Sequence, residues 1–128
     1  MSAPAFDTIA WFEVAGDDAD ALQRFYGELF GWRFAVDQEQ AADGTDYRIV
    51  SYAGDDRPRG GVRGVDDGAS GYAVFTVAVR DVEQACATIE DLGGKVEYKV
   101  VGSDASPDCA YARDSAGNLF GLFTPKAK

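Results

Sequence analysis

The sequence predicts an α+β fold: two tandem β-α-β-β-β units forming an open, cup-like mixed β-sheet with the helices outside. Three observations lead there. The chain matches itself at a fixed offset. Each copy opens with a short β-branched and aromatic run, and an aspartate then starts a stretch of helically spaced apolar residues.

The offset is 63 positions. It sets Asp18 on Asp81, Asp20 on Glu83, Leu29 on Leu92 and Gly31 on Gly94 without a gap. It also sets Tyr47–Val50 against Ala110–Arg113 and Gly54 against Gly117. The 128 residues read as a single domain, 1–128, with repeat units at about 8–64 and 71–125 joined by the Gly- and Asp-rich stretch from Gly64 to Gly71.

Each unit begins with a strand, Trp11–Val14 in one and Val74–Val77 in the other. Helices follow. Asp17 or Asp18 caps the first, whose stripe is Leu22, Phe25, Tyr26 and Leu29. Asp81 caps the second, with Val82, Ala85, Cys86, Ile89 and Leu92. Gly31 and the pair Gly93-Gly94 end these helices, where a left-handed residue is wanted. Three more strands complete each copy, at Trp32–Asp37, Tyr47–Ala53 and Arg57–Gly64, then Lys95–Val101, Cys109–Arg113 and Leu119–Thr124. One face of each unit's sheet is covered by its own helix. Phe12 and Val14 belong to that face with Phe25, Tyr26 and Phe30, while Trp11 and Glu13 look into the cup.

Composition excludes several function classes. Twelve basic against 22 acidic residues leave a net charge of −10, which repels polyphosphate, so neither nucleic acid nor an anionic membrane surface is an expected partner. No apolar run is long enough to span a bilayer and no charged-then-apolar leader opens the chain. The two cysteines, Cys86 and Cys109, have no paired spacing and suit a reducing cytoplasm. There is no histidine, which removes His-based metal sites and Ser-His-Asp or Cys-His machinery. Acid–base work then falls to a carboxylate, Tyr, Lys, Cys or bound water.

The doubled unit, the run Phe25-Tyr26-Gly27-Glu28-Leu29-Phe30-Gly31-Trp32, and the closing Asp114-Ser115-Ala116-Gly117-Asn118-Leu119-Phe120-Gly121-Leu122 resemble the vicinal oxygen chelate superfamily. That group holds glyoxalase I, extradiol dioxygenases, fosfomycin-modifying enzymes and bleomycin-binding resistance proteins. The likeness runs from about Ile9 to Thr124, and the Phe-Tyr-Gly-Glu-Leu-Phe-Gly-Trp run is most similar to a glyoxalase-like branch. The resemblance implies the glyoxalase/bleomycin resistance fold and a homodimer. Metal-dependent members carry His, Gln or Glu at four strand positions; these fall on Trp11, Val74, Gly121 and Gly60 or Gly61, none with a side-chain ligand. No metal and no cofactor is therefore expected.

The expected function is metal-independent binding of a small, partly aromatic metabolite or antibiotic. Trp11, Glu13, Arg63, Val74, Thr76, Gly121 and Gly61 are the candidate ligand-binding residues, with Glu13 or Arg63 fixing orientation. The alternative is a glyoxalase-like lyase, isomerase or hydroxylase/dioxygenase-type enzyme, using a carboxylate or an unidentified metal site. Glu13 is then the candidate catalytic residue. Against these stand a filled cup, an ion-paired structural Glu13, and Arg57 and Arg59 as charge balance for nearby aspartates. Tyr47, Tyr52, Tyr72 and Tyr111 lie on or beside strands, and register decides which of them face the cup.

Overall fold

The computed structural model describes residues 5–104 and 106–125. The elements run β1 (Thr8–Gly16), α1 (Ala19–Phe30), β2 (Arg33–Val36), α2 (Gln38–Ala42), β3 (Tyr47–Ser51), β4 (Gly60–Gly64), β5 (Tyr72–Ala78), α3 (Val82–Asp91), β6 (Lys95–Val100), β7 (Cys109–Arg113) and β8 (Leu119–Phe123). The fold is α+β. Two compact units divide it, one spanning Trp11–Ala73 and the other combining the residues up to Ala10 with those from Val74 onward.

In the Trp11–Ala73 unit the strand order is β2-β3-β4-β1, with β1 parallel to β4 and the other pairs antiparallel. In the second unit the order is β6-β7-β8-β5, with β5 parallel to β8 and the others again antiparallel. The first strand of each copy thus lies beside its fourth, and the third and second follow outward. One sequence repeat has folded twice into one topology.

The helix starts repeat in detail. Asp18 accepts from the Ala21 amide and Asp81 from the Gln84 amide, the same cap on the same turn. The ends differ. Gly31 takes a left-handed conformation at φ 73°, whereas in the second copy Gly93 does so at φ 91°. Gly94 serves close approach instead: a Cβ there would lie 2.6 Å from the Arg113 carbonyl oxygen.

Each unit has its core between helix and sheet. Ala19, Val50 and Val62 form one, with Phe12, Leu22, Trp32 and Phe34 packed around them. Val82, Cys86, Ala110 and Leu122 form the other, bordered by Val79, Ala85, Ile89, Val96 and Phe120. Burial raises the pKa of the Cys86 thiol, in keeping with an inert core residue. Arg48 ties β3 to α1 through Asp20 at 2.7 Å and Gln23 at 3.1 Å, and is also held by Asp46 just before its own strand.

Two expectations about the helices need correction, and one short helix stands where the sequence predicts no element. Phe25 and Phe30 are not core residues: they are 59% and 54% exposed, and Leu29 is 58% exposed. Helix α1 buries Ala19 and half-buries Leu22 and Tyr26 on its inner side, and Phe25 and Leu29 fall on its outer side. Leu92 caps α3 from outside the core, 75% exposed. Helix α2 occupies a segment with no apolar period. Asp37 starts it by accepting from the amides of Glu39 and Gln40 and from the Gln40 side chain. No helix among the described residues is long and apolar enough to cross a membrane.

Candidate functional site

Strand alternation separates the two faces of β1 as expected. Phe12 packs in the helix-side core, and Trp11 and Glu13 meet on the opposite face. Glu13 is 5% exposed, a buried carboxylate on a strand, and such a group needs partners.

Two phenols are among its partners. The Tyr47 hydroxyl, from β3, donates to Glu13 Oε1 at 2.9 Å, and the Tyr72 hydroxyl, from the start of β5, donates to Oε2 at 2.5 Å. Each phenol oxygen accepts in turn: Trp11 Nε1 donates to Tyr47 at 2.9 Å, and Arg63 Nη1 to Tyr72 at 3.4 Å. All five residues lie in the Trp11–Ala73 unit. Burial first, and then the negative charge of Glu13, push the Tyr47 pKa far above its ordinary value of 10.0, so this phenol stays protonated and keeps donating.

Register explains how Tyr47 gets there. Glu13 pairs with Gly61 across β1 and β4, while Tyr47 pairs with Arg63 across β3 and β4. The Tyr47 ring crosses diagonally over Gly61, and a Cβ on Gly61 would stand 2.1 Å from its hydroxyl oxygen. The same register resolves an ambiguity of the sequence. Glu13 faces Gly61 as Thr76 faces Gly121, so Gly61 and not Gly60 is the counterpart of Gly121. Gly60 serves the other face, where the Phe12 ring lies against it.

Trp11, Glu13, Gly61 and Arg63 are therefore brought together, with Trp11 and Arg63 half-buried at the margins. The space that Gly61 leaves is taken by Tyr47. Thr76 and Gly121 pair within the other unit, to which Val74 also belongs. Val74 and Thr76 are 8% and 9% exposed, and Thr76 Oγ1 would lie 3.0 Å from a Cβ on Gly121. Tyr111 pairs with Gly121 and Tyr98 with Tyr111, their rings 6.4 Å apart. Tyr47 and Tyr72 are the functional candidates that residue patterns did not single out. The visible hint was a carboxylate on an inward strand position in a chain with tyrosines on neighbouring strands.

Arg57 and Arg59 both bond Asp55 on the β3–β4 connection, with Arg59 Nη2 making the tightest contact. They act as charge balance there. Among the described residues no group of three or more Cys, Asp or Glu converges as a metal site would require.

Chemically, the cluster is one carboxylate with a phenol on each oxygen, an indole N–H behind one phenol and a guanidinium behind the other. A description of proteins with this architecture matches the chain: the Glyoxalase/Bleomycin resistance protein/Dioxygenase superfamily model covers residues 8–122. The chain belongs to this superfamily. No curated protein matches it. Among solved structures, a point variant of Streptomyces coelicolor methylmalonyl-CoA epimerase bound to 2-nitronate-propionyl-CoA is 19% identical, with a TM-score of 0.63, covering 96% of this chain and 100% of that one. Methylmalonyl-CoA epimerase from Mycobacterium tuberculosis is 15% identical at TM-score 0.60, covering 99% and 94%. A hypothetical protein from Bacillus halodurans is 10% identical at TM-score 0.62, covering 94% and 96%. At these identities the likeness concerns the glyoxalase-superfamily fold alone.

Proposed function

We propose that this glyoxalase-superfamily chain is a cytoplasmic, homodimeric protein that binds a small, partly aromatic metabolite or antibiotic without a metal. The observation that carries this reading is the Glu13 carboxylate with a phenol on each oxygen. It fixes the hydroxyl of Tyr72 beside Arg63, and that of Tyr47 beside the Trp11 indole. Few polar groups, held in place on a face that also carries an indole, are what a small-ligand site requires. The indole supplies stacking area, and the Arg63 guanidinium, with five donors in a rigid fork, suits a ligand carboxylate or phenolate. The positions where metal-dependent relatives carry ligands hold Trp11, Gly61, Val74 and Gly121, which supports a metal-free site. Val74, Thr76 and Gly121 are assigned to the ligand-facing surface of the second unit.

Native mass spectrometry of the protein purified from its own host, with elemental analysis of the same sample, tests the reading. A co-purified aromatic small molecule and substoichiometric metal are expected. Stoichiometric zinc, iron, nickel or manganese would overturn it.

A second reading is a lyase- or isomerase-like enzyme, favoured by the direct Tyr72–Glu13 contact. A ligand proton passes to the Tyr72 oxygen as the Tyr72 proton passes to Glu13 Oε2, and the reverse transfer restores both groups. Turnover abolished in both Glu13→Gln and Tyr72→Phe, with ligand affinity kept within a few fold, would select the enzyme. Affinity lost together with any turnover would select binding.

A further inference from the structure

The outer face of α1 carries Phe25 and Leu29, 59% and 58% exposed, and Phe30 at its end, 54% exposed. The patch continues as a chain of rings, Phe25 to Tyr26 at 5.1 Å, Phe30 to Trp32 at 5.1 Å and Trp32 to Tyr52 at 5.7 Å. Contiguous apolar surface of this kind marks an interaction site rather than the scattered exposure every protein has. A shallow groove runs along it, lined by Ala21, Arg24, Phe25, Glu28 and Leu29.

The charges on that groove are what identify the occupant. Arg24 and Glu28 stand one turn apart beside the apolar row, both exposed, and neither takes part in an ion pair among the described residues. Arg preceding Glu by four positions is the less favourable order for a bond within one helix. The row has its small residue, Ala21, at one end, its largest, Phe25, at the centre and Leu29 at the other end.

We propose that a second copy of this chain docks here, its α1 antiparallel to the first about a two-fold axis at Phe25. Leu29 then enters the groove beside the partner's Ala21, Phe25 meets the partner's Phe25, and Arg24 meets the partner's Glu28. An isologous contact repeats each pairing that lies off the axis, so the Arg24–Glu28 pair forms twice and both Leu29 side chains are covered. The surface is complementary to itself in size and in sign. This goes beyond the homodimer proposed above by assigning its surface.

Sedimentation velocity of the full chain from about 1 to 100 μM tests it, with circular dichroism to verify that each variant folds. The wild type sediments as a dimer and Leu29→Asp as a monomer. Arg24→Glu and Glu28→Arg each place two like-charged pairs in the interface and weaken the dimer at least about tenfold. The double exchange Arg24→Glu/Glu28→Arg restores opposite signs and brings the dissociation constant back to within a few fold of wild type. A wild-type monomer throughout that range overturns both the surface and the homodimer. A dimer indifferent to these variants, or a double exchange no better than the single ones, overturns the surface and leaves the homodimer standing.

Discussion

Tyr47 reaches Glu13 across 34 positions of sequence, its hydroxyl 2.9 Å from Oε1, by lying over the one residue of β4 at that height with no side chain, Gly61. Glycine, phenol and carboxylate form a single device. The strand gives up a side chain so that the next strand's tyrosine can satisfy the buried charge of the first.

Removing the hydroxyl takes a donor from Glu13 Oε1 and the acceptor from Trp11 Nε1. Tyr47→Phe is expected to cost about 2 kcal/mol in urea unfolding, the range for orphaned buried polar groups. It also changes the alkaline limb. The folded pKa of Tyr47 is raised, so its contribution is present below the ordinary phenol value of 10.0 and is lost as pH rises beyond it. Stability of the wild type should fall more steeply above pH 10 than that of Tyr47→Phe. Equal slopes would contradict the assignment.

Gly61→Ala places a methyl group within 2.1 Å of the Tyr47 oxygen, on a ring that is 6% exposed and cannot swing into solvent. A loss of about 2 kcal/mol is expected, at the level of overpacking in a core. Tyr47→Phe in the same chain should not relieve it, since the ring carbons stand as close as the oxygen. Full relief by the phenylalanine would show that the hydroxyl alone makes the contact.

Asp55 titrates at about 2, lowered first by the Arg57 backbone amide and then by the Arg59 side chain. A depressed carboxylate contributes stability above its ordinary 3.8 that is lost as pH falls through the folded value. Carbon-detected NMR of the Asp55 carboxyl should give a midpoint near 2. In Asp55→Asn, the acid dependence of stability between about pH 4 and pH 2 should be shallower. A midpoint near 3.8 would remove the role given to Arg57 and Arg59.

The repeat, the strand set, the capping aspartates and the two faces of β1 were readable in the sequence because each rests on local chemistry at fixed spacing. Asp18 and Asp81 need only the amides three residues on. The outer side of α1 was not readable. Leu22, Phe25, Tyr26 and Leu29 make one broad apolar stripe, and periodicity does not say which edge of a broad stripe faces the sheet. Helix α2, with three polar residues and two alanines, has no apolar stripe, leaving only the spacing of Asp37 and Gln40 as a sign. At the site, Trp11, Glu13 and Arg63 follow from alternation along single strands. Tyr47 and Tyr72 depend on register between strands, where a slip of one residue reverses every face. The space over Gly61 is filled by Tyr47 from β3, which no pattern along β1 or β4 alone could show.

Titration of the chelator-treated protein with benzoate, salicylate and 1-naphthoate, read by tryptophan fluorescence, bears most directly on the proposed role. Saturable quenching is predicted for at least one of them, abolished in Trp11→Phe and weakened about tenfold or more in Arg63→Ala, where a charge-assisted contact is lost. A wild-type signal that none of the three changes, or quenching that survives Trp11→Phe intact, would contradict a ligand resting on that indole.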